Sequence, residues 1–509
     1  KQKTAYEIYQ CDWSSDVCSS DLAALLIRLL RQLGLDPQPY IPDRLMEGYG
    51  PSGEALVRLA ESGSTLIVTV DCCAQAFEAL DMARDAGVDV VVVDHHKCAT
   101  QLPAAFALVN PNRLDELPEA AAHGLLAAVG VAFLLGAALI RTLRAEGWFA
   151  NRPEPRIIDL LDLVALGTVA DVAQLRGLNR AFVAQGLKVM AKRANIGMSA
   201  LIDASRLTRA PLCHDLGFAL GPRINAGGRV GKSDLGVRLL TTEDESEARA
   251  IAQELDRLNE ERRAIEASVQ EEAERLAESQ HNRAVICVSG EGWHPGVIGI
   301  VAGRIKEKFG RPAIVIAADE DGVGKGSGRS ITGVDLGAAV LAAKDSGLLA
   351  AGGGHAMAAG LTVAMDKAEA LTEFLDERLS ASVAQAVQDR ALPIDLLLSP
   401  RGINPALVNM LDEAGPYGTG WPSPRVATGP VRVIRADIVG NGHVRAILAG
   451  DDGQSLKSVA FRQAESELGQ SLLGASRDRR LWVAGRAKID DWGSRPAAEL
   501  HIDDAAWVE

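Results

Sequence analysis

The spacing of apolar and polar positions divides the chain into segments of clearly different period. After Leu22, AALLIRLLRQLG places apolar residues at helical spacing and stops at Gly34, as a helix does. Thr65–Val70 and Val88–Val93 are short β-branched runs, each closed by an aspartate, with a helical stretch near Ala74–Ala86 between them. Strand, helix, strand over this length predicts a βαβ unit with two parallel strands. Phe106–Val109 reads as a further short strand, and Ile157–Ala165 as a helix leading into GTVADVAQL. Thr242–Ser279 lacks Gly and Pro and is dense in Glu, Arg and Ala, which predicts one long helix.

A second α/β alternation follows, with a strand at Ala284–Val288, a helix at Val297–Phe309 and a strand at Ala313–Ala317; GKGSGRS and AGGGHAMAAG then read as glycine-rich turns. From about Ala391 five β-like runs alternate with turns: Arg425–Ile438, His443–Ala449, Ser455–Phe461, Arg480–Ile489 and Ala498–Ile502. That count suits a small barrel of the OB type. The expected architecture is α/β: a parallel-sheet domain at 23–240, a connector helix at 241–282, a second α/β domain at 283–388 and an OB-fold-like barrel at 389–509. Lys1–Leu22 shows no period, and its tail resembles translated adapter sequence. It is expected to be non-native, and the chain, opening on Lys, to lack its native start.

Composition narrows the classes. With 47% hydrophobic and 24% charged residues, wholesale disorder is excluded. The seven cysteines form no C-x-x-C pair and read as reduced thiols of a cytoplasmic protein. Ala120–Ile140 is uncharged and long enough to span a bilayer. It is Ala/Gly-rich and contains His123, so it is expected to be a buried helix, with no membrane partner. A net charge of −14 excludes a diffuse basic coat. Any polyanion site must be a confined basic groove or rely on metal ions.

Ligands gather at the carboxyl ends of parallel strands. Asp71 and Asp94 close the two strands there, His95 and His96 follow at once, and Asp171 lies in an apolar, small-residue setting. Two carboxylates 4 Å apart repel by about 4 kcal/mol at an effective dielectric near 20. Either one is protonated or a divalent cation sits between them, and imidazole beside carboxylate favours a transition metal such as Mn²⁺ over Ca²⁺. Equally, a strand-end Asp can cap the next helix, and a histidine can be a hydrogen-bonded core residue. From these residues alone a metal site and a structural polar cluster both stand.

The stretch VVVDHHK, preceded by TVDCC and followed by LVALGTVADVAQL, resembles the DHH phosphoesterase superfamily. GPRINAGGRVG, GWHPGVIGIVAGRIKEKFGRPAIVI, GSGRSI and GGGHAMAAG narrow the resemblance to its RecJ-like branch, the bacterial single-strand-specific 5′→3′ exonucleases. That resemblance runs from about Ala23 to the C-terminus. It implies DHH, connector, DHHA1 and OB-fold domains in that order, Mn²⁺ or Mg²⁺ as cofactor at two positions, single-stranded DNA as partner, and a cytoplasmic monomer acting in repair and recombination. Carried over, Asp71 bridges metals and His95 and Asp171 are further ligands. His96 faces the scissile phosphate, and Asp94 ligates metal or orients its neighbours. Arg223, Asn225 and Arg229 face phosphate; Gly326, Ser327, Arg329 and Ser330 form a phosphate-cradling turn, and His355 contacts a nucleotide. Trp293 and His294 are assigned to packing and helix initiation.

One departure stands out. The superfamily's upstream Asp-x-Asp motif is replaced by SSDVCSSDL, whose Asp16 and Asp21 are too far apart to reproduce it. The expectation is a nuclease fold whose present copy binds metal weakly. The rivals are a DHH–DHHA1 phosphodiesterase of short oligonucleotides or cyclic dinucleotides, which the added β domain disfavours, and a non-catalytic single-strand-binding relative.

Overall fold

The computed structural model describes residues 5–10, 16–42, 52–389, 391–451, 453–475, 479–490 and 496–508. Five strands, β1 (Ala5–Gln10), β2 (Gln38–Tyr40), β3 (Ser64–Val70), β4 (Asp89–Val93) and β5 (Ala107–Val109), form a parallel sheet in the order β2-β1-β3-β4-β5. Along β3 and β4, alternate residues enter two different cores. Ile67, Val90 and Val92 pack on one face, and Val68, Val70, Val91 and Val93 on the other. A sheet covered on both faces needs the continuous Val/Ile runs seen in the sequence.

The described residues of Lys1–Leu22, a segment set apart for its lack of period, contribute to this domain. The backbone of Ala5–Gln10 pairs between β2 and β3, and the Asp16–Gln32 helix begins inside the segment. Ser20, Asp21 and Leu22 are buried.

Two expected helices shift. The apolar run splits into a short helix at Pro118–Ala121 and a long one at Ala128–Ala145. The break has a cause: the Asn179 side chain accepts from Ala127 N and donates to Leu125 O, taking backbone groups a continuous helix would use. Ala128–Ala145 is long and apolar enough to cross a bilayer. Here it lays Val129, Val131, Ala132 and Phe133 into the core beside the helices Asp16–Gln32 and Leu161–Ala170. The second shift concerns GTVADV. After a 3₁₀ turn at Ile157–Leu160, the helix Leu161–Ala170 runs straight through Gly167 and ends with Asp171 as its C-cap. Asp171 therefore leaves a helix terminus and not a glycine turn.

The connector is a helix at Glu245–Glu278, about 50 Å long by its rise per residue. Asp244 caps it, accepting from Ser246 N and Glu247 N. Its first half packs on the sheet domain and its second on the helix Ile298–Phe309.

The next sheet holds β6 (Ile286–Glu291), β7 (Ala313–Ala318), β8 (Val323–Arg329), β9 (Ala351–His355) and β10 (Ala358–Ala364) in the order β6-β7-β8-β10-β9. GKGSGR and AGGGH, expected as turns, are thus strands. β8 pairs with β7 and β10 on its two sides, so its amides sit in ladders and make no phosphate cradle. Glycine suits this strand because its neighbours crowd it: a Cβ on Gly326 would lie 2.6 Å from Leu361 Cδ1.

The C-terminal domain adds β11 (Leu396–Leu398), β12 (Val426–Val439), β13 (His443–Ala449), β14 (Ser455–Ala460), β15 (Leu481–Asp490) and β16 (Ala497–Trp507). Pairing of β12 with β15 closes a five-stranded barrel, with β11 attached outside it. The five expected β runs correspond to the barrel strands.

Small residues set how closely the helices of the first domain approach. A Cβ on Gly186, in the helix Gly177–Met190, would overlap the Leu161 carbonyl. Gly186→Ala is expected to destabilise the protein by about 1–3 kcal/mol through overpacking, read as a lower urea midpoint with unchanged m-value.

Candidate metal centre and nucleic-acid groove

Asp71 and Asp94 directly follow the adjacent parallel strands β3 and β4, and both are buried. The ladder continues through them: Asp71 N donates to Val93 O at 2.9 Å and Asp94 N to Val109 O at 3.1 Å. The backbone bends sharply here, with φ of 59° at Asp71, 78° at Cys73 and 55° at the β-branched Val172 beside Asp171. Left-handed non-glycine residues are strained, and these three lie at or within two residues of Asp71 and Asp171.

The two carboxylates have different tasks. Asp94 accepts four hydrogen bonds, from Ala74 N (2.9 Å), His95 N (2.7 Å), His96 N (3.1 Å) and His96 Nδ1 (2.7 Å). Burial works against its charge, but the His96 hydrogen bond and the two imidazoles outweigh it and hold the carboxyl below its usual range. Asp94 thus clamps the loop. Asp71 instead faces His95, with Oδ1 3.2 Å from Nε2, and Asp171 Oδ2 lies 3.8 Å from the same nitrogen.

His95 is oriented by its other nitrogen, 2.9 Å from the Leu126 carbonyl. A carbonyl only accepts, so Nδ1 carries a proton and Nε2 is the nitrogen directed at the two carboxylates, open to a proton or a metal. That is the tautomer a metal-ligating histidine needs. Ligand atoms of Asp71, His95 and His96 all lie within 4.8 Å of one another. The mixed carboxylate and imidazole donors fit Mn²⁺ or Mg²⁺, and a buried carboxylate paired with an oriented imidazole is a site that a cation completes.

Without metal, protons do that work. Burial lowers the His95 pKa, but the hydrogen bond and charge of Asp71, then Asp171 and Asp94, carry it up to about 10. His96, likewise opposed by burial, is raised to about 9 by Asp94.

Supporting groups that carry no sequence signature of their own complete the site. Asn112 Nδ2 donates to His95 O (2.6 Å) and Gly124 O (2.9 Å), and Asn110 Nδ2 to His96 O (2.8 Å). Asn179 grips Leu125 and Ala127 on either side of Leu126, whose carbonyl orients His95. Asn-Pro-Asn directly after β5 was the available clue.

Asp21, dismissed on spacing, is fully buried against Gly167, where a Cβ would overlap its Oδ2. Burial raises its pKa well above normal, and Asp71 and Asp171 add repulsion. Its carboxyl therefore resists ionisation more than an exposed aspartate does, in the field of the site. The side chain of Asp16 lies outside the described residues.

The expected phosphate groups divide. GPRINAGGRV is a helix, Gly221–Val230. Arg223 is committed to Asp256 of the connector at 2.8 Å and to Ala219 O at 2.7 Å, so it joins helices instead of facing phosphate alone. Arg223, Asn225 and Arg229 nevertheless border a groove of about 590 Å³. Arg262 and Arg263 of the connector, Arg304 of the second α/β domain and Arg462 of the barrel line it too. These further arginines carried no motif.

Ser327 and Arg329 share one face of β8, with Arg329 Nη1 3.1 Å from Ser327 Oγ. Ser330 is buried, and its hydroxyl donates to Val334 O at 2.8 Å, which makes it structural. His355 is exposed in a second cavity, about 520 Å³, that is also lined by Lys97, one residue beyond His96. Trp293 packs with its Nε1 donating to Glu272 (2.8 Å), and His294 Nδ1 accepts from Gly296 N (3.0 Å).

Family models match at residues 14–168 (DHH family, N-terminal domain), 281–381 (DHHA1 domain) and 394–504 (RecJ OB domain). The single-stranded-DNA-specific exonuclease RecJ of Dickeya dadantii is 41% identical over 510 residues, 97% of this chain and 86% of that protein. That of Escherichia coli is 38% identical over 507 residues, with the same coverage. The crystal structure of RecJ in complex with Mn²⁺ from Thermus thermophilus superposes with a TM-score of 0.78 at 30% identity, covering 100% of this chain and 70% of that one.

Metal and proton compete for His95 Nε2, so Mn²⁺ affinity should rise about tenfold per pH unit between pH 6 and 8. Stability of the metal-free protein should move the opposite way. The charge on His95 stabilises fully below about pH 6.5, and its contribution is lost as pH climbs through about 10. Calorimetric titrations and melting curves across that range test both, and flat profiles would separate His95 from the metal. In the same titration, Asn112→Ala should weaken Mn²⁺ binding by about tenfold by releasing the His95 loop.

Proposed function

Because the chain belongs to the RecJ family of single-stranded-DNA-specific exonucleases, we propose that it degrades single-stranded DNA from a 5′ end, as a cytoplasmic monomer in repair and recombination. The observation that carries this reading is the orientation of His95 Nε2 toward both Asp71 and Asp171. Asp71, His95 and Asp171 would hold Mn²⁺ or Mg²⁺, which supplies Lewis acidity toward the phosphodiester and lowers the pKa of the attacking water.

The remaining tasks fall to the chain itself. Asp94 fixes His96 through Nδ1. Nε2 of His96, when protonated, can donate in a hydrogen bond to a phosphate oxygen as charge builds there, and Asp94 favours that protonated form. The arginine-lined groove bordered by all three folded domains supplies local attraction for a polyanion in a chain of net charge −14. Ser327, Arg329 and His355 would meet the DNA from the second α/β domain, and the barrel would hold the strand further along.

The copy in hand is impaired in this reading. In place of Asp-x-Asp it presents, among the described residues, the buried Asp21, whose burial opposes the charge a metal ligand carries. Replacing Asp16–Leu22 by a segment carrying Asp-x-Asp should raise Mn²⁺-dependent release of nucleotides from 5′-ended single strands at least a hundredfold. His95→Ala in that background should abolish the gain. Restored metal binding with single-strand affinity but no cleavage would instead favour a binding protein.

A further inference from the structure

Immediately after Asp71 the chain places two adjacent cysteines, Cys72 and Cys73, with their sulfurs 3.4 Å apart. Both are nearly buried, at 7% and 5% exposure, within the apolar layer that also contains Cys98. All three are reduced. Cys73 sits at φ 78°, a conformation that favours glycine, and Asp71 at φ 59°. Two thiols are therefore held together by a bent segment whose first residue is the buried carboxylate facing His95. The segment is pinned at both ends, by Asp71 N on Val93 O (2.9 Å) and by Ala74 N on Asp94 Oδ2 (2.9 Å).

We propose that Cys72 and Cys73 form a reversible disulfide under peroxide, and that this bond switches the metal centre off. The proposal rests on the reading of Asp71 as a ligand. Adjacent Cα atoms are about 3.8 Å apart, closer than the roughly 4.4–6.8 Å of ordinary disulfides. Closing the ring therefore requires backbone rotation, and the two pins confine that rotation to residues 71–74. It must turn the Asp71 carboxylate or loosen the grip of Ala74 on Asp94, and both hold the centre together.

The chemistry balances with hydrogen peroxide as oxidant. One sulfur attacks a peroxide oxygen and the O–O bond breaks; a sulfenic acid forms, and the departing hydroxide takes that thiol's proton to become water. The neighbouring sulfur attacks the sulfenic sulfur and the S–O bond breaks; hydroxide leaves with the second thiol's proton. Two thiols and one peroxide give one disulfide and two waters, and two electrons pass from sulfur to oxygen.

The test treats the reduced full-length chain with hydrogen peroxide and then with dithiothreitol. After each step the mass of the peptide spanning 72–73 and the affinity for Mn²⁺ are measured. The expected result is a loss of about 2 Da within that single peptide and Mn²⁺ binding at least tenfold weaker, both reversed by the reductant. Cys73→Gly, which relieves the left-handed residue, should keep Mn²⁺ affinity and ignore peroxide. Cys98→Ser should still lose the two hydrogens. No mass loss, oxygen addition in its place, or pairing with Cys98 would overturn the disulfide. Mass loss with unchanged Mn²⁺ affinity would overturn the switch while leaving the metal reading intact. A reduced chain that binds no Mn²⁺ would overturn the metal reading and the switch with it, while the mass change reports on the disulfide separately.

Discussion

Carboxylates brought together out of water must be neutralised, and the first domain is built around that requirement. β3 and β4 end side by side and deliver Asp71 and Asp94 to one crevice, and the Leu161–Ala170 helix adds Asp171 from a third direction. Like charges at such separations cost several kcal/mol unless compensated. Compensation is divided between two histidines that share a loop. His96 serves Asp94, and His95 serves Asp71 and Asp171. The asparagine clamps at 110, 112 and 179 fix that loop, because a histidine free to rotate would leave a buried anion without its partner.

The same reasoning extends to the whole chain. Net charge says little about affinity for a polyanion, since only charges within a screening length of the ligand act on it. Excess acid is distributed over the surface, for example in the Glu245–Glu278 helix, while arginines from three folded domains converge on one groove. Arg223 and Arg262 are tied to Asp256 and Glu266 within it. Those pairs hold the guanidinium groups in place at some cost in free positive charge.

What could be read from the sequence was what periodicity and strand-end chemistry encode. The β-branched runs before Asp71 and Asp94, the Gly-free connector and the five barrel strands were each visible, because burial on a known face imposes a period. Glycine misled. In GKGSGRS it marks close approach of neighbours across a sheet, as at Gly326 beside Leu361, and in AGGGH Gly354 does so against Ala358, yet taken alone glycine signals a turn. RINAGGR is helical for a related reason: Gly227 lets Leu255 of the connector approach to 3.1 Å of where a Cβ would be. Asn179 and Asp21 were not legible, since their roles come from contacts far along the chain.

Charge counting also limits what this centre can hold. Asp94 is taken up by four hydrogen bonds, and burial disfavours the charge on Asp21. Among the described residues, Asp71 and Asp171 are then the two anions left beside His95, enough to balance one divalent ion. A second ion would bring two further positive charges into a buried site with no anion to meet them, unless Asp21 ionised. The presence of the other ion would favour that ionisation, since a nearby cation lowers a carboxyl pKa. In this reading a second ion calls for ionised acids upstream of the DHH loop.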